Sequence, residues 1–193
     1  MGSTSSPPQR LSLDERQTLL RLARGSIVQG VKLGTPLQVS QDQYPTSLQY
    51  HRGSFVTLHS EGALRGCIGH LEAHQPLVVD VVENAYAAAF RDPRFPPLRQ
   101  AELEGLDIHV AVLSTPVPIR FGSEQELLEI LRPGVDGLIL QYGHRKGTFL
   151  PSVWEQLPHP ADFLNHLKRK TGLPVTSWPQ GITALRYETE SFS

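Results

Sequence analysis

A chain of 193 residues, 39% hydrophobic and 19% charged, is long enough for one domain or two small lobes and would bury roughly 70% of its extended surface. Its formal net charge of −1 argues against a nucleic-acid binder working through a basic surface, and no apolar run approaches the roughly 20 residues of a membrane span. One cysteine excludes an internal disulfide and fits a reducing compartment; with no signal-peptide pattern at its start, the chain is expected to be cytoplasmic.

Residues 1–10, rich in Ser and Pro, read as a disordered tail. Ser12-Leu13-Asp14-Glu15 has the form of a capping box, and Leu13, Leu19, Leu20, Ala23 and Ile27 then predict an amphipathic helix to about Gln29. Residues 30–53 read as loop with one short strand. From Ser54 the period changes to two: Phe55 to His59 and Leu64 to His70 predict a β-hairpin around Ser60-Glu61-Gly62.

Register decides where Cys67 points. A three-residue turn with Gly62 left-handed sets Leu58 against Leu64 and Phe55 against Cys67. Val56, Leu58, Leu64 and Ile68 then form a core face, while Phe55, Thr57, Arg65 and Cys67 face away from it. On this reading Arg65 and Cys67 share a face, roughly 7 Å apart along the strand.

Pro76 suits the first turn of a helix whose apolar stripe runs from Leu77 to Phe90 and which Asp92-Pro93 ends. Leu106 to Leu113 alternates as a strand closed by Thr115-Pro116. Ser123-Glu124-Gln125-Glu126 is a second capping box, opening a short helix that stops at Pro133-Gly134. Gly137 to Tyr142 and Lys146 to Leu150 predict another hairpin, followed by a Pro160-initiated helix and a strand from Ile182 to Tyr187. At an offset of 81 residues Gly62 falls on Gly143, Arg65 on Lys146 and Gly66 on Gly147. The reading is an internal duplication: two related β-hairpin–α–β halves around residues 54–115 and 135–190, with antiparallel sheets covered by helices and an extra N-terminal helix, an α+β fold. A cleft between the halves is the expected location of the polar face bearing Cys67.

Cys67 leads the candidates for chemistry. The thiolate is the reactive species and nearby positive charge lowers a thiol's pKa, which Arg65 on the same face could supply. Gly66 and Gly69 would leave room for a ligand near the backbone. The competing reading is a packed cysteine acting as a small hydrophobe. Alternation puts His70 on the opposite face unless the strand bulges at Gly69, and His51, His59, His144 or His166 could instead complete a Cys-His pair. Cys67, His70 and His74 also make a C-x2-H-x3-H spacing, but with no further ligand evident and with the faces alternating, no metal site is expected. Arg91 and Arg94, around an Asp-Pro stop, could grip an anionic ligand, or form a salt-bridged helix end with Phe95 as a plug. Lys168-Arg169-Lys170 reads as a solvated helix end, and Phe149 to Trp154 as an apolar stretch packed in the second lobe.

Leu64-Arg65-Gly66-Cys67-Ile68-Gly69 resembles the signature hexapeptide of the AMMECR family, also called AmmeMemoRadiSam system protein A. The resemblance continues through Asn84-Ala85, Asp92-Pro93-Arg94-Phe95, Asp136-Gly137-Leu138-Ile139-Leu140, Phe149-Leu150-Pro151 and Phe163-Leu164, covering about residues 11–192. It implies one AMMECR-type domain over residues 11–193 with two related halves, and a family without an established activity. It also implies a pathway shared with a Memo-type dioxygenase-like protein and a radical SAM protein. Lys168 stands where many members have a second cysteine, which counts against a dithiol mechanism, and His109 and Val117 stand where glutamate is common, which counts against an acid–base role for that strand. The functional expectations are two. One is an enzyme or enzyme accessory component using Cys67, Arg65 and His70 on a small, possibly anionic substrate held by Gly66, Gly69, Arg91 and Arg94. The other is a non-catalytic adaptor whose hexapeptide docks a partner protein or ligand.

Overall fold

In the computed structural model, which describes residues 10–193, Ser12 caps the first helix from both sides. Its hydroxyl accepts from the Glu15 amide at 3.3 Å, and the Glu15 carboxylate accepts from the Ser12 amide at 2.6 Å. The helix (α1, Leu13–Leu33) runs on past Gln29 and stops where Gly34 turns left-handed, φ 72°. The expected tail lies outside the described residues except for exposed Arg10. In place of a loop with a strand, residues 30–53 contain a tight turn at Gln41–Gln43 and a short helix (α2, Thr46–Gln49) that buries Leu48.

The first hairpin is β1 (Ser54–Ser60) with β2 (Ala63–His70), followed by helix α3 (Leu77–Phe90) and strand β3 (Leu106–Leu113). The second set has the same order: hairpin β5 (Gly137–Tyr142) with β6 (Arg145–Phe149), helix α5 (Pro160–Lys170) and strand β7 (Thr183–Tyr187). Helix α4 (Glu124–Ile130) precedes it, capped by the Ser123 hydroxyl, although Glu126 bonds the Gly122 amide instead of completing the box. Two strands were not legible as such, β4 (Val117–Ile119) and β8 (Thr189–Phe192). Both are very short, and β4 carries a proline, which weakens any strand signal. The sheets run β2-β1-β3-β8 and β4-β7-β5-β6, so hairpin and following strand line up identically in the two halves. That is the α+β duplication the repeated order of elements predicts.

The chain divides into two compact units: the described residues up to Ser114 with Glu190–Ser193, and Thr115–Thr189. In the first, α1 and α3 cover one sheet face. Val56 and Leu58 of β1, Leu106 and Val110 of β3, and Leu77, Val81 and Ala85 of α3 are buried there. In the second, α5 covers the sheet through Phe163, Leu164 and Leu167, and Trp154 stacks on Phe163 at 3.8 Å while donating to the Asp136 carbonyl at 2.7 Å. Among the described residues no helix is long and apolar enough to cross a membrane.

Lys168 corrects the solvated-helix-end expectation, because it belongs to the same inward stripe of α5 as Leu164 and Leu167. It is fully buried, donating to Glu124 at 2.9 Å and to the Val175 carbonyl at 2.8 Å, with the Trp178 ring 5.5 Å from its ammonium. Lys168→Met keeps the volume but strips Val175 of its donor; Glu124 can turn to solvent. The expected loss is about 1–2 kcal/mol by urea denaturation.

Candidate functional site

The hairpin turn decides what surrounds the sulfur. Glu61 and Gly62 both have positive φ (51° and 77°), the signature of a two-residue turn, which is tighter than the three-residue one expected. A bulge then shifts the register by one: Ser60 pairs Ala63 and His59 pairs Leu64, but Leu58 pairs Gly66, leaving Arg65 as the extra residue. Cys67 therefore lies opposite Thr57, and Phe55 opposite Gly69. The division of faces survives, since two shifts in pairing preserve parity. Leu64 does not stay with the core: the bulge moves it to the other face, 42% exposed.

On the helix-covered face stand Val56, Leu58 and Ile68. The opposite face carries Phe55, Thr57, His59, Cys67 and, from β3, Asp107, His109 and Ala111. Cys67, Thr57 and His109 form a row across three strands. Thr57 Oγ1 lies 3.2 Å from Cys67 Sγ, and the sulfur's residue is half-buried. His109 meets His59 edge-on at 5.0 Å, and the buried His59 Nδ1 has no hydrogen-bond partner among the described residues.

β2 is an edge strand, and at Cys67 that edge is closed by the turn after α3. The Cys67 amide donates to Asp92 Oδ2 at 2.9 Å, and Arg94 Nη2 donates to the Cys67 carbonyl at 3.3 Å. Asp92 is buried and also accepts from the Arg94 amide, Nε and Nη2, at 3.1, 3.0 and 2.7 Å. The Arg94 guanidinium first, then the Cys67 and Arg94 amides, hold its carboxyl well below the usual aspartate range against the opposing effect of burial. Arg94 is pushed up in turn, mainly by its hydrogen bonds to Asp92.

Arg65 has a different partner. Its Nε donates to Glu102 at 2.6 Å and its Nη2 to the Pro96 carbonyl at 2.9 Å, so its charge is matched by a carboxylate that it holds below the ordinary value. Gly66 and Gly69 are filled by protein: a Cβ on Gly66 would stand 2.1 Å from the Ala88 carbonyl oxygen of α3, and one on Gly69 2.3 Å from that of Ser54. Arg91 ends α3 with its guanidinium 5.0 Å over the Tyr86 ring. His70 lies on the helix face, away from the sulfur, 3.5 Å from buried Asp80, with His74 beside it. Thr57, Asp92, Arg94, Pro96 and Glu102, which bond Cys67 and Arg65, all belong to the first unit. The sequence reading missed Thr57 as the sulfur's neighbour, Asp92 as its clamp and Glu102 as the Arg65 counter-ion. The Asp-Pro stop marked the Asp92 turn, but nothing local marks Glu102, which reaches Arg65 across 37 positions.

A hairpin–helix–strand unit built twice, with a cysteine on the first edge strand clamped by the turn after the first long helix of that unit, defines the class of protein. The chain belongs to the AMMECR1 family, whose model matches residues 20–192. A protein of Methanothermobacter thermautotrophicus is 40% identical over 165 residues, 85% of each chain. Protein MJ0810 of Methanocaldococcus jannaschii is 35% identical over 190 residues, covering 94% of this chain and 91% of its own. The crystal structure of an uncharacterized protein, PH0010 from Pyrococcus horikoshii, matches with a TM-score of 0.74 at 34% identity, over 90% of this chain and 88% of that one.

Proposed function

We propose that the chain is an enzyme, or the thiol-bearing component of one, that acts on a small molecule through Cys67 on the open face of its first sheet. One observation carries the reading: the Cys67 peptide is fixed at both its amide and its carbonyl while the residue stays only partly buried. A merely space-filling cysteine needs no such clamp. Thr57 can take a hydrogen bond from the thiol or give one to the thiolate, and His109, one strand further, is the imidazole in register with it. Arg94, which donates to the Cys67 carbonyl, takes the place of Arg65 as the cation bonded to the Cys67 peptide. The partners implied by the family resemblance, a Memo-type dioxygenase-like protein and a radical SAM protein, fit a component of a multi-step pathway.

The second reading, an adaptor, draws on the packing of Gly66 and Gly69: with both consumed by the fold, what the hexapeptide offers a partner is the thiol side. Labelling separates the two. The folded protein is expected to react with iodoacetamide at Cys67 below pH about 8, and Cys67→Ser to stay unlabelled and inactive in the pathway. A thiol inert until denaturation would overturn the enzyme reading. Partner capture that survives Cys67→Ala with full pathway function would favour the adaptor.

A further inference from the structure

We infer that His70, His74 and Asp80 form a divalent transition-metal site, zinc-type in its donor set, on the face of the first unit opposite to Cys67. One ligand atom from each of the three lies within 4.8 Å of the other two. The elements that bring them together are the end of β2, the turn after it and the first turn of α3. Asp80 forms the floor, 1% exposed, and the two imidazoles are about half-exposed above it. The site is distinct from the C-x2-H-x3-H spacing in the sequence, because strand alternation separates the sulfur from His70 and a buried carboxylate takes its place.

Three features make this arrangement a ligand set instead of a hydrogen-bonded cluster. The first is charge. Asp80 Oδ2 accepts from the Ser54 hydroxyl at 2.6 Å and Asn84 Nδ2 at 2.9 Å, and Oδ1 from Gln75 Nε2 at 3.1 Å, all neutral donors. Among the described residues no Lys or Arg pairs with it, and its ion-pair partners are the two histidines. A matching cation stabilises a buried carboxylate beyond what neutral donors give, and a divalent ion supplies one.

The second is spacing. His70 Nδ1 stands 3.5 Å and His74 Nε2 3.9 Å from Asp80 Oδ1. These are long for hydrogen bonds, yet close to the roughly 3.4 Å that separates two ligands bonded at about 2.1 Å to one tetrahedral ion. The rings meet edge-on at 4.8 Å and 89°, so their nitrogens can converge without the rings colliding.

The third is orientation. His74 Nδ1 lies 3.0 Å from the Glu72 carbonyl. With the proton there, Nε2 presents its lone pair towards Asp80, the outer hydrogen bond that fixes a metal-binding imidazole. Asp80 is held likewise by Ser54 and Asn84. Two imidazoles and one carboxylate leave at least one position for water or a ligand, and the donor set suits zinc and its first-row neighbours over magnesium or calcium.

The test is zinc titration of the full chain by calorimetry, repeated with cobalt(II) read by its visible absorption. Wild type is expected to bind one zinc per chain with micromolar or tighter affinity. His74→Ala should weaken it by roughly tenfold or more, and His70→Ala/His74→Ala should abolish it. Both side chains are surface groups, so these variants should keep the wild-type circular dichroism, and Cys67→Ser should bind zinc like wild type. Binding by the double variant equal to wild type, or no binding by wild type, would overturn the site. A Cys67→Ser loss as large as that of His74→Ala would overturn it too, by placing the ion at the sulfur.

Discussion

Gly66→Ala should destabilise the first unit by more than about 3 kcal/mol, or leave the chain insoluble. The added methyl would stand 2.1 Å from the Ala88 oxygen, and that atom is backbone in the last turn of α3, with no rotamer to escape into. Relief requires α3 to lift from β2, which opens the contacts of Ala85, Ala88 and Ile68 together. Gly105→Ala is the control: its new methyl meets nothing within 4 Å, its φ is not positive, and stability should change little. Urea denaturation of the two variants beside wild type makes the comparison. A Gly66→Ala protein as stable as wild type would mean that the hexapeptide glycine is not there for helix packing.

Asp92→Asn is the second large effect, about 2–4 kcal/mol at neutral pH. The amide keeps one acceptor oxygen where the carboxylate serves the Cys67 amide and three Arg94 donors, and its NH2 faces donors in place of acceptors. The sign of the pH dependence follows from the depressed carboxyl. Its contribution is complete above the ordinary aspartate value, 3.8, and is lost as the pH falls from there towards the lower value in the folded chain. The gap between wild type and Asp92→Asn should therefore be widest at neutral pH and narrow progressively as the pH falls below 3.8. Asp92→Asn should also loosen the clamp on Cys67, seen as faster hydrogen exchange of the Cys67 amide. A gap independent of pH would exclude the carboxylate charge as its cause.

The elements were legible where periodicity and punctuation agree. The Ser12 box, the Pro76 and Pro160 helix starts and the alternation of 106–113 each gave an element close to the observed one. The side of the sheet on which Cys67 stands was readable too, because alternation reports parity. Parity is all it reports. Moving from Phe55 to Thr57 as the partner of Cys67 needs a bulge at Arg65, and no apolar pattern distinguishes two registers that differ by a whole pair. Arg65 and Lys168 were misread for one reason: each was assigned its surroundings from sequence neighbours, the thiol for Arg65 and solvent for Lys168, while Glu102 and Glu124 bring counter-charges from distant segments. Asp80 and Asn84 were hidden inside the apolar stripe of α3, where only the fold shows that Ser54 stands across from them.

The arrangement of the first sheet sets an order of events for the newborn chain. β3 finds its neighbour β8 only after residues 115–189 have been translated, so until then its outer backbone groups have no permanent cover. During that interval the half-made protein exposes a sticky rim, and a ribosome stalled between Ser114 and Glu190 would release a fragment prone to clump. Maturation of the thiol-bearing half thus waits on synthesis of its sibling.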